Sequence, residues 1–180
     1  EGITSLYQVA ADYRLWTRDP AAMFATNVEA TAGLLREAAD AGARRMVYTS
    51  SVATLGLFPD GREADEITPV AAADMIGPYK RSKFDGEERV RALAAAGLPI
   101  VIVNPTAPVG PRDVKPTPTG QIIVKFLNRE MPAYLDTGLN WGHARDVAIG
   151  HILAAEKGRT GERYILGNAE GNWTMKEAFT

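Results

Sequence analysis

The sequence predicts an α/β domain with a parallel sheet covered on both faces. Short apolar runs bounded by turn signals alternate with segments of helical period, and helices stop at a glycine shortly before the next run. With 180 residues and 46% hydrophobic content, the chain can bury one sizeable core, so a single domain over 1–180 is expected.

Ser5-Leu6-Tyr7-Gln8-Val9-Ala10-Ala11 reads as a strand ending on small residues. Asp19 then supplies an N-cap and Pro20 the first helical position. Met23, Val28, Thr31, Leu34, Leu35 and Ala38 recur at helical spacing up to the stop at Gly42. Arg45-Met46-Val47-Tyr48-Thr49 has the pattern of a buried parallel strand and runs into Ser50-Ser51. From Leu57 to Gly77 the sequence is rich in Pro, Gly, Asp and Ala and has no clean period, which predicts a long loop over the end of the sheet. Pro78 to Ala96 is helical, highly charged on one face, and stops at Gly97 before the strand Pro99-Ile100-Val101-Ile102-Val103-Asn104. A Pro/Gly-rich stretch from Pro105 to Pro118 precedes a helix from about Gly120 to Arg129. Another helix runs from about Asp146, read as its cap, to Lys157, and a strand covers Arg163-Tyr164-Ile165-Leu166. Thr174-Met175-Lys176-Glu177 matches a capping box.

Composition narrows the function. A formal net charge of -2 without a Lys/Arg run gives no basic surface for nucleic acid. The absence of cysteine removes disulfides, thiolate catalysis and Cys-based zinc sites, and fits the cytoplasm as the default compartment. No apolar stretch is long enough to span a bilayer. His143 and His151 lack a third partner at metal-ligand spacing, so core or capping roles are expected and no metal is assigned. The sequon Asn172-Trp173-Thr174 is read as chance.

Tyr79 and Lys83 are the candidates for chemistry. Redox enzymes acting on alcohols move a proton while a cofactor moves a hydride, and free tyrosine is too weak an acid for that at neutral pH. A lysine one helical turn away shares its face, and its charge is expected to lower the tyrosine pKa. With six tyrosines present, the pair alone is equally readable as a solvated helix face. Ser51 adds to it, because it sits at the C-terminal end of a buried strand, the edge where open α/β sheets bind ligands. A hydroxyl there can donate to a substrate oxygen as charge develops; alternatively it satisfies local backbone groups in a turn.

Thr49-Ser50-Ser51-Val52-Ala53-Thr54-Leu55-Gly56, the Tyr79/Lys83 pair, Asn104-Pro105 and Gly110-Pro111-Arg112-Asp113 together resemble the extended short-chain dehydrogenase/reductases, the NAD-dependent epimerase/dehydratase superfamily. Ala11-Asp12-Tyr13-Arg14-Leu15-Trp16 and the stretch from Gly110 to Gly120 are most similar to the hopanoid-associated sugar epimerases, relatives of the dihydroflavonol reductases. The resemblance implies a partial Rossmann-type doubly wound sheet, with elements of a small substrate lobe interspersed from about residue 105 onward. It implies that Ser51 polarises the substrate oxygen, Tyr79 exchanges the proton, and Lys83 also binds the nicotinamide ribose. Ala10, Ala11, Thr49, Ser50, Asn104, Pro105 and Thr106 would join Tyr79 and Lys83 around NAD or NADP. Asn27 would order the sheet and a water near Lys83. Arg14, Trp16, Arg112 and Lys115 are expected to face a small-molecule substrate, or else to lie in solvated loops. A cytoplasmic enzyme, with a homodimer as its candidate assembly, is the corresponding expectation.

Gln8 departs from the family's usual histidine, and Gly142 and Arg145 stand where a more apolar and acidic pattern is usual. None of the 17 glycines makes the dinucleotide fingerprint, so the chain reads as an internal piece of a longer enzyme, with the residue that selects NAD or NADP lying before Glu1. Such a piece alone is expected to be unstable, since it exposes a sheet edge. Three functions remain open: an epimerase that returns its hydride, a reductase that consumes NADPH, and a non-catalytic dinucleotide sensor, disfavoured by the retained Tyr79 and Lys83.

Overall fold

The computed structural model describes residues 2–180 and divides into two compact units. One takes the residues up to Asn104 together with His151–Ile165; the other takes Pro105–Gly150 together with Leu166–Thr180.

The first unit is built on a four-stranded sheet. Its strands are β1 (Ser5–Gln8), β2 (Arg45–Thr49), β3 (Ile100–Pro105) and β6 (Arg163–Leu166), in the order β1-β2-β3-β6. β1 runs parallel to β2 and β2 parallel to β3, with Tyr7 opposite Val47 and Tyr48 opposite Ile102. Side chains alternate across a pleated strand. Met46, Tyr48, Ile100 and Ile102 therefore join Leu35 of α2 (Thr31–Asp40) and Val90 of α3 (Pro78–Ala95) in one core. Val101, on the opposite face, meets the C-terminal end of α5 (Ala144–Lys157), where a Cβ on Gly158 would lie 2.8 Å from the Val101 side chain. Arg45 donates to the carbonyls of Ala154 and Ala155 and to that of Gly158, placing its positive charge at the negative end of the helix.

The predicted first helix forms with a break in its winding. Asp19 accepts from the Ala22 N–H at 3.1 Å and Pro20 starts α1 (Pro20–Phe24). The chain then widens into a π-helical turn over Ala25–Ala30 before α2. Asn27 sits in that turn, 2% exposed, and π-turns recur at functional positions. The long loop from Leu57 to Gly77 contains one short 3₁₀ turn, Ala72–Asp74. Its approach to the serine turn leaves no space at Gly56, where a Cβ would stand 1.9 Å from the Pro69 carbonyl oxygen.

The second unit has a three-stranded sheet in the order β4 (Ala107–Val109), β5 (Gly138–His143), β7 (Asn172–Thr174), with α4 (Pro118–Leu127) and α6 (Met175–Ala178). β4 and β5 are parallel, and β5 and β7 antiparallel. The capping box at α6 forms as predicted, Thr174 and Glu177 exchanging bonds at 2.8 and 3.1 Å. Asp146 is not the cap of α5. The helix starts two residues earlier, at Ala144, leaving Asp146 in the first turn, while the His143 ring accepts from the Arg145 N–H at 3.0 Å. β4 and β7 escaped the sequence reading because they have three residues each, and β5 because glycine stands at two of its six positions, although Leu139 and Trp141 alternate with Asn140 and Gly142. Among the described residues, no helix is long and apolar enough to cross a membrane.

Candidate active site

α3 owes its inner face to the placing of small and polar residues. Ser82, Lys83, Gly86, Glu87, Val90, Leu93 and Ala94 are buried, while Lys80, Arg81, Glu88, Arg89 and Arg91 are exposed. Pro78 starts the helix, which brings Tyr79 into its first turn beside the strand-end serines. Glycine is required at 86 by close approach: a Cβ there would lie 2.7 Å from the Asn27 carbonyl oxygen and 3.0 Å from the Tyr48 hydroxyl. Alanine is the better helix former by about 1 kcal/mol and overpacking costs about 1–3 kcal/mol. Gly86→Ala is thus expected to lower stability by roughly 1 kcal/mol net in denaturant melts. A gain in stability would mean that helix and turn are not in the contact described.

Ser51, Tyr79 and Lys83 converge at the C-terminal end of the parallel sheet. The Tyr79 hydroxyl interacts with the Ser51 side chain. Ser51 Oγ also accepts from the Ala53 N–H at 3.1 Å, so the hydroxyl caps its turn as well as facing the tyrosine. Lys83 is 4% exposed; its Nζ donates to the Thr49 carbonyl at 2.7 Å and lies 5.1 Å from the centre of the Tyr48 ring.

The expected lowering of the Tyr79 pKa does not occur in this arrangement. Burial holds the Tyr79 phenol above its ordinary value, and the Ser51 hydrogen bond offsets that only in part. The Lys83 ammonium is turned toward a carbonyl and an aromatic face instead. Burial, opposed by the Glu87 charge, brings Lys83 down from 10.5 to about 8. Tyr48, buried in the core, is pushed upward by burial and then by the Glu87 charge.

Asn27 bonds directly to two separate segments of the chain. Its amide donates to the Asp12 carbonyl and to Ser82 Oγ, both at 2.9 Å, and its Oδ1 accepts from the Asp12 N–H at 2.7 Å. Ser82 in turn donates to the Tyr79 carbonyl at 2.9 Å. The segment after β1 and the first turn of α3 are thereby tied to one side chain. Gln8 is buried and donates to the Ala10 carbonyl at 2.7 Å.

The other expected cofactor residues divide. Ala10 is exposed and Ala11 half-buried beyond β1, presenting small side chains at the sheet edge. Thr49 gives its carbonyl to Lys83 and pairs its hydroxyl with Nε2 of the buried His151 at 2.9 Å. Ser50 and Asn104 turn their side chains into the protein, 5% and 0% exposed, onto the carboxylate of Glu87, leaving only backbone groups for a cofactor. Pro105 is buried at the end of β3, and Thr106 bonds the Leu166 carbonyl in the second unit. Of the expected substrate residues, Arg14 is paired with Asp12 at 2.5 Å, Trp16 is 70% exposed, and Arg112 and Lys115 are exposed on the second unit, Arg112 with a φ of 71°. That unit contains an apolar pocket of about 460 Å³ lined by residues including Ile123, Phe126, Trp141, His143, Trp173 and Phe179. The Phe126 and Phe179 rings stack there at 4.3 Å.

Glu87 was missed. It reads as one more charge on a charged helix, yet it lies one turn beyond Lys83 and two beyond Tyr79, on the same face. That spacing was the available signal.

The profile of the NAD dependent epimerase/dehydratase family matches residues 2–167. The chain belongs to that family. Among curated relatives of this epimerase/dehydratase chain, a dihydroflavonol 4-reductase-like protein of Synechocystis sp. is 49% identical over 93% of the chain and 50% of its own length. Sterol demethylase protein B of Methylococcus capsulatus is 37% identical over 92% of the chain and 50% of its own length. The crystal structure of gox2253 superposes with a TM-score of 0.93 and 51% identity, over 99% of the chain and 54% of that structure. The chain thus spans about half the length of the curated relatives it matches.

Proposed function

We propose that the protein carrying this chain is an NAD(P)-dependent oxidoreductase of the epimerase/dehydratase type, acting on a hydroxyl or carbonyl of a sugar-like small molecule. The observation that carries this reading is the convergence of Ser51, Tyr79 and Lys83 at the C-terminal edge of a parallel sheet. The residues fit a dinucleotide. Ala10 and Ala11 leave the backbone approachable beyond β1, and Lys83 gives the Thr49 carbonyl only one of its three N–H groups, leaving two for ribose hydroxyls. NAD and NADP satisfy these groups equally.

A bound nicotinamide supplies or accepts the hydride. Ser51 donates a hydrogen bond to the reacting oxygen, whose developing charge it stabilises. Tyr79 passes a proton to that oxygen or takes one from it, and Lys83 holds a positive charge beside the pair.

A second reading has its own support. Burial keeps Tyr79 a neutral phenol, which suits proton donation to a carbonyl, and the Synechocystis relative bears a reductase name. On that reading the enzyme reduces a ketone or aldehyde with NADPH and releases both products. Absorbance of the nicotinamide separates the two. Turnover of a sugar without net absorbance change is expected for the epimerase, and steady NADPH loss with a carbonyl substrate for the reductase. Nicotinamide binding without turnover of either substrate would argue instead for a dinucleotide sensor.

A further inference from the structure

Glu87 is 1% exposed, deep on the inner face of α3, and its carboxylate receives four donors. One oxygen accepts from Ser50 Oγ at 2.5 Å, Thr54 Oγ1 at 2.8 Å and Asn104 Nδ2 at 2.9 Å. The other accepts from Arg163 Nη1 at 3.0 Å. Three neutral donors and a guanidinium are the environment of an acceptor-only, ionised carboxylate. Every neutral donor belongs to the serine turn or holds it. Ser50 precedes Ser51, the one Thr54 hydroxyl proton is shared between Glu87 and the Ser51 carbonyl, each 2.8 Å from Oγ1, and the Asn104 amide donates to that same carbonyl at 3.0 Å.

We propose that Glu87 is a positioning residue for this site: its buried carboxylate fixes the turn that carries Ser51 and sets a negative charge one helical turn from the Lys83 ammonium. The inference rests on the reading of Ser51, Tyr79 and Lys83 as the reacting set. A buried ammonium is costly without a compensating charge. The groups facing Lys83 are Tyr48 from β2, Glu87 from α3, and His151 of α5 through Thr49. Glu87 is the acid of that set, and Arg163 of β6, bonded to its other oxygen, opposes its field at Lys83. Burial lowers the Lys83 pKa and the Glu87 charge opposes the fall. Removing Glu87 therefore lowers it further, and removing Arg163 raises it.

The test is the titration of Lys83 itself, followed by NMR of Cε-labelled lysine in the whole protein without nicotinamide, with the Lys83 signal assigned from Lys83→Met. In Glu87→Gln the midpoint is expected to fall by about one pH unit, and in Arg163→Met to rise. Glu87→Gln sets an amide N–H against Arg163, so the double variant Glu87→Gln/Arg163→Met removes that conflict and is expected to fold with a midpoint between those of the two single variants and still below the wild type, since Glu87 is the charge that acts on Lys83 directly. The alkaline limb of kcat/KM should move with each midpoint. A folded Glu87→Gln or double variant with an unmoved Lys83 midpoint overturns the proposal, as does movement of both single variants in the same direction. The underlying reading fails separately, if Lys83→Met turns over like the wild type.

Discussion

Tyr79→Phe is expected to lower kcat by about 10²–10⁴-fold while leaving nicotinamide affinity nearly unchanged. Phenylalanine keeps the ring that packs in the first turn of α3 and removes only the hydroxyl that faces Ser51. The scaffold around it stays intact, since Asn27, Ser82 and the Tyr79 carbonyl are joined through atoms that the substitution does not touch. The loss should appear in kcat rather than KM, because proton transfer to the reacting oxygen contributes in the transition state and little in the ground state. Steady-state kinetics on the whole protein, with tryptophan fluorescence to follow nicotinamide binding, measure both quantities. Wild-type kcat in Tyr79→Phe would remove tyrosine from the proton path. A matched loss of nicotinamide binding would make it a binding residue.

The parts of this fold that could be read from sequence are those whose cause is local. Asp19-Pro20 and the Thr174/Glu177 box specify their helix starts by direct side-chain bonds to nearby N–H groups, and both form where expected. Arg45–Thr49 is a run of strand formers between turn signals and emerges with the same limits. The strands of the second unit have no such local cause. Gly138–His143 contains two glycines and Ala107–Val109 a proline, so pairing between distant segments makes them strands. The π-turn at Ala25–Ala30 is equally invisible, since its residues continue the helical period through it.

The site divides along the same line. Ser51, Tyr79 and Lys83 were legible as residue types at a spacing and at a strand end. What the three touch was not. The charge rule for neighbours on a helix predicted that Lys83 would lower the Tyr79 pKa, but a carbonyl of β2 and the Tyr48 ring take the ammonium, and burial dominates the phenol. Glu87 illustrates the converse. Its partners Ser50, Thr54, Asn104 and Arg163 come from separate parts of the chain, so only tertiary structure shows that a helix glutamate is the centre of a buried network.

Lys83→Met should abolish most turnover and, at neutral pH, make the protein more stable than the wild type. Burial brings the wild-type amine down to about 8 in the fold, against 10.5 unperturbed. At 1.4 kcal/mol per pH unit that difference is a penalty of about 3 kcal/mol for holding the ammonium in place. Below pH 8 the folded and unfolded chains both bind the proton, and the penalty is fully present. Between about 8 and 10.5 the unfolded chain keeps a proton that the native state has released, so wild-type stability gains with rising pH. Above 10.5 neither state is charged and the penalty has gone. Methionine fills much of the same volume without an ionisable group. It forfeits the bond to the Thr49 carbonyl, which is worth about 1 kcal/mol. The variant is therefore expected to exceed the wild type by about 2 kcal/mol at pH 7, with the advantage fading and reversing toward pH 10.5. Denaturant melts of the whole protein at pH 7 and pH 10 measure the difference. An advantage of constant size would place its origin in packing, and a variant less stable at pH 7 would show that the ammonium is better compensated than its surroundings indicate. The expected result describes a lysine that the fold retains against its own stability, which is what a residue kept for proton chemistry at the end of a parallel sheet would be.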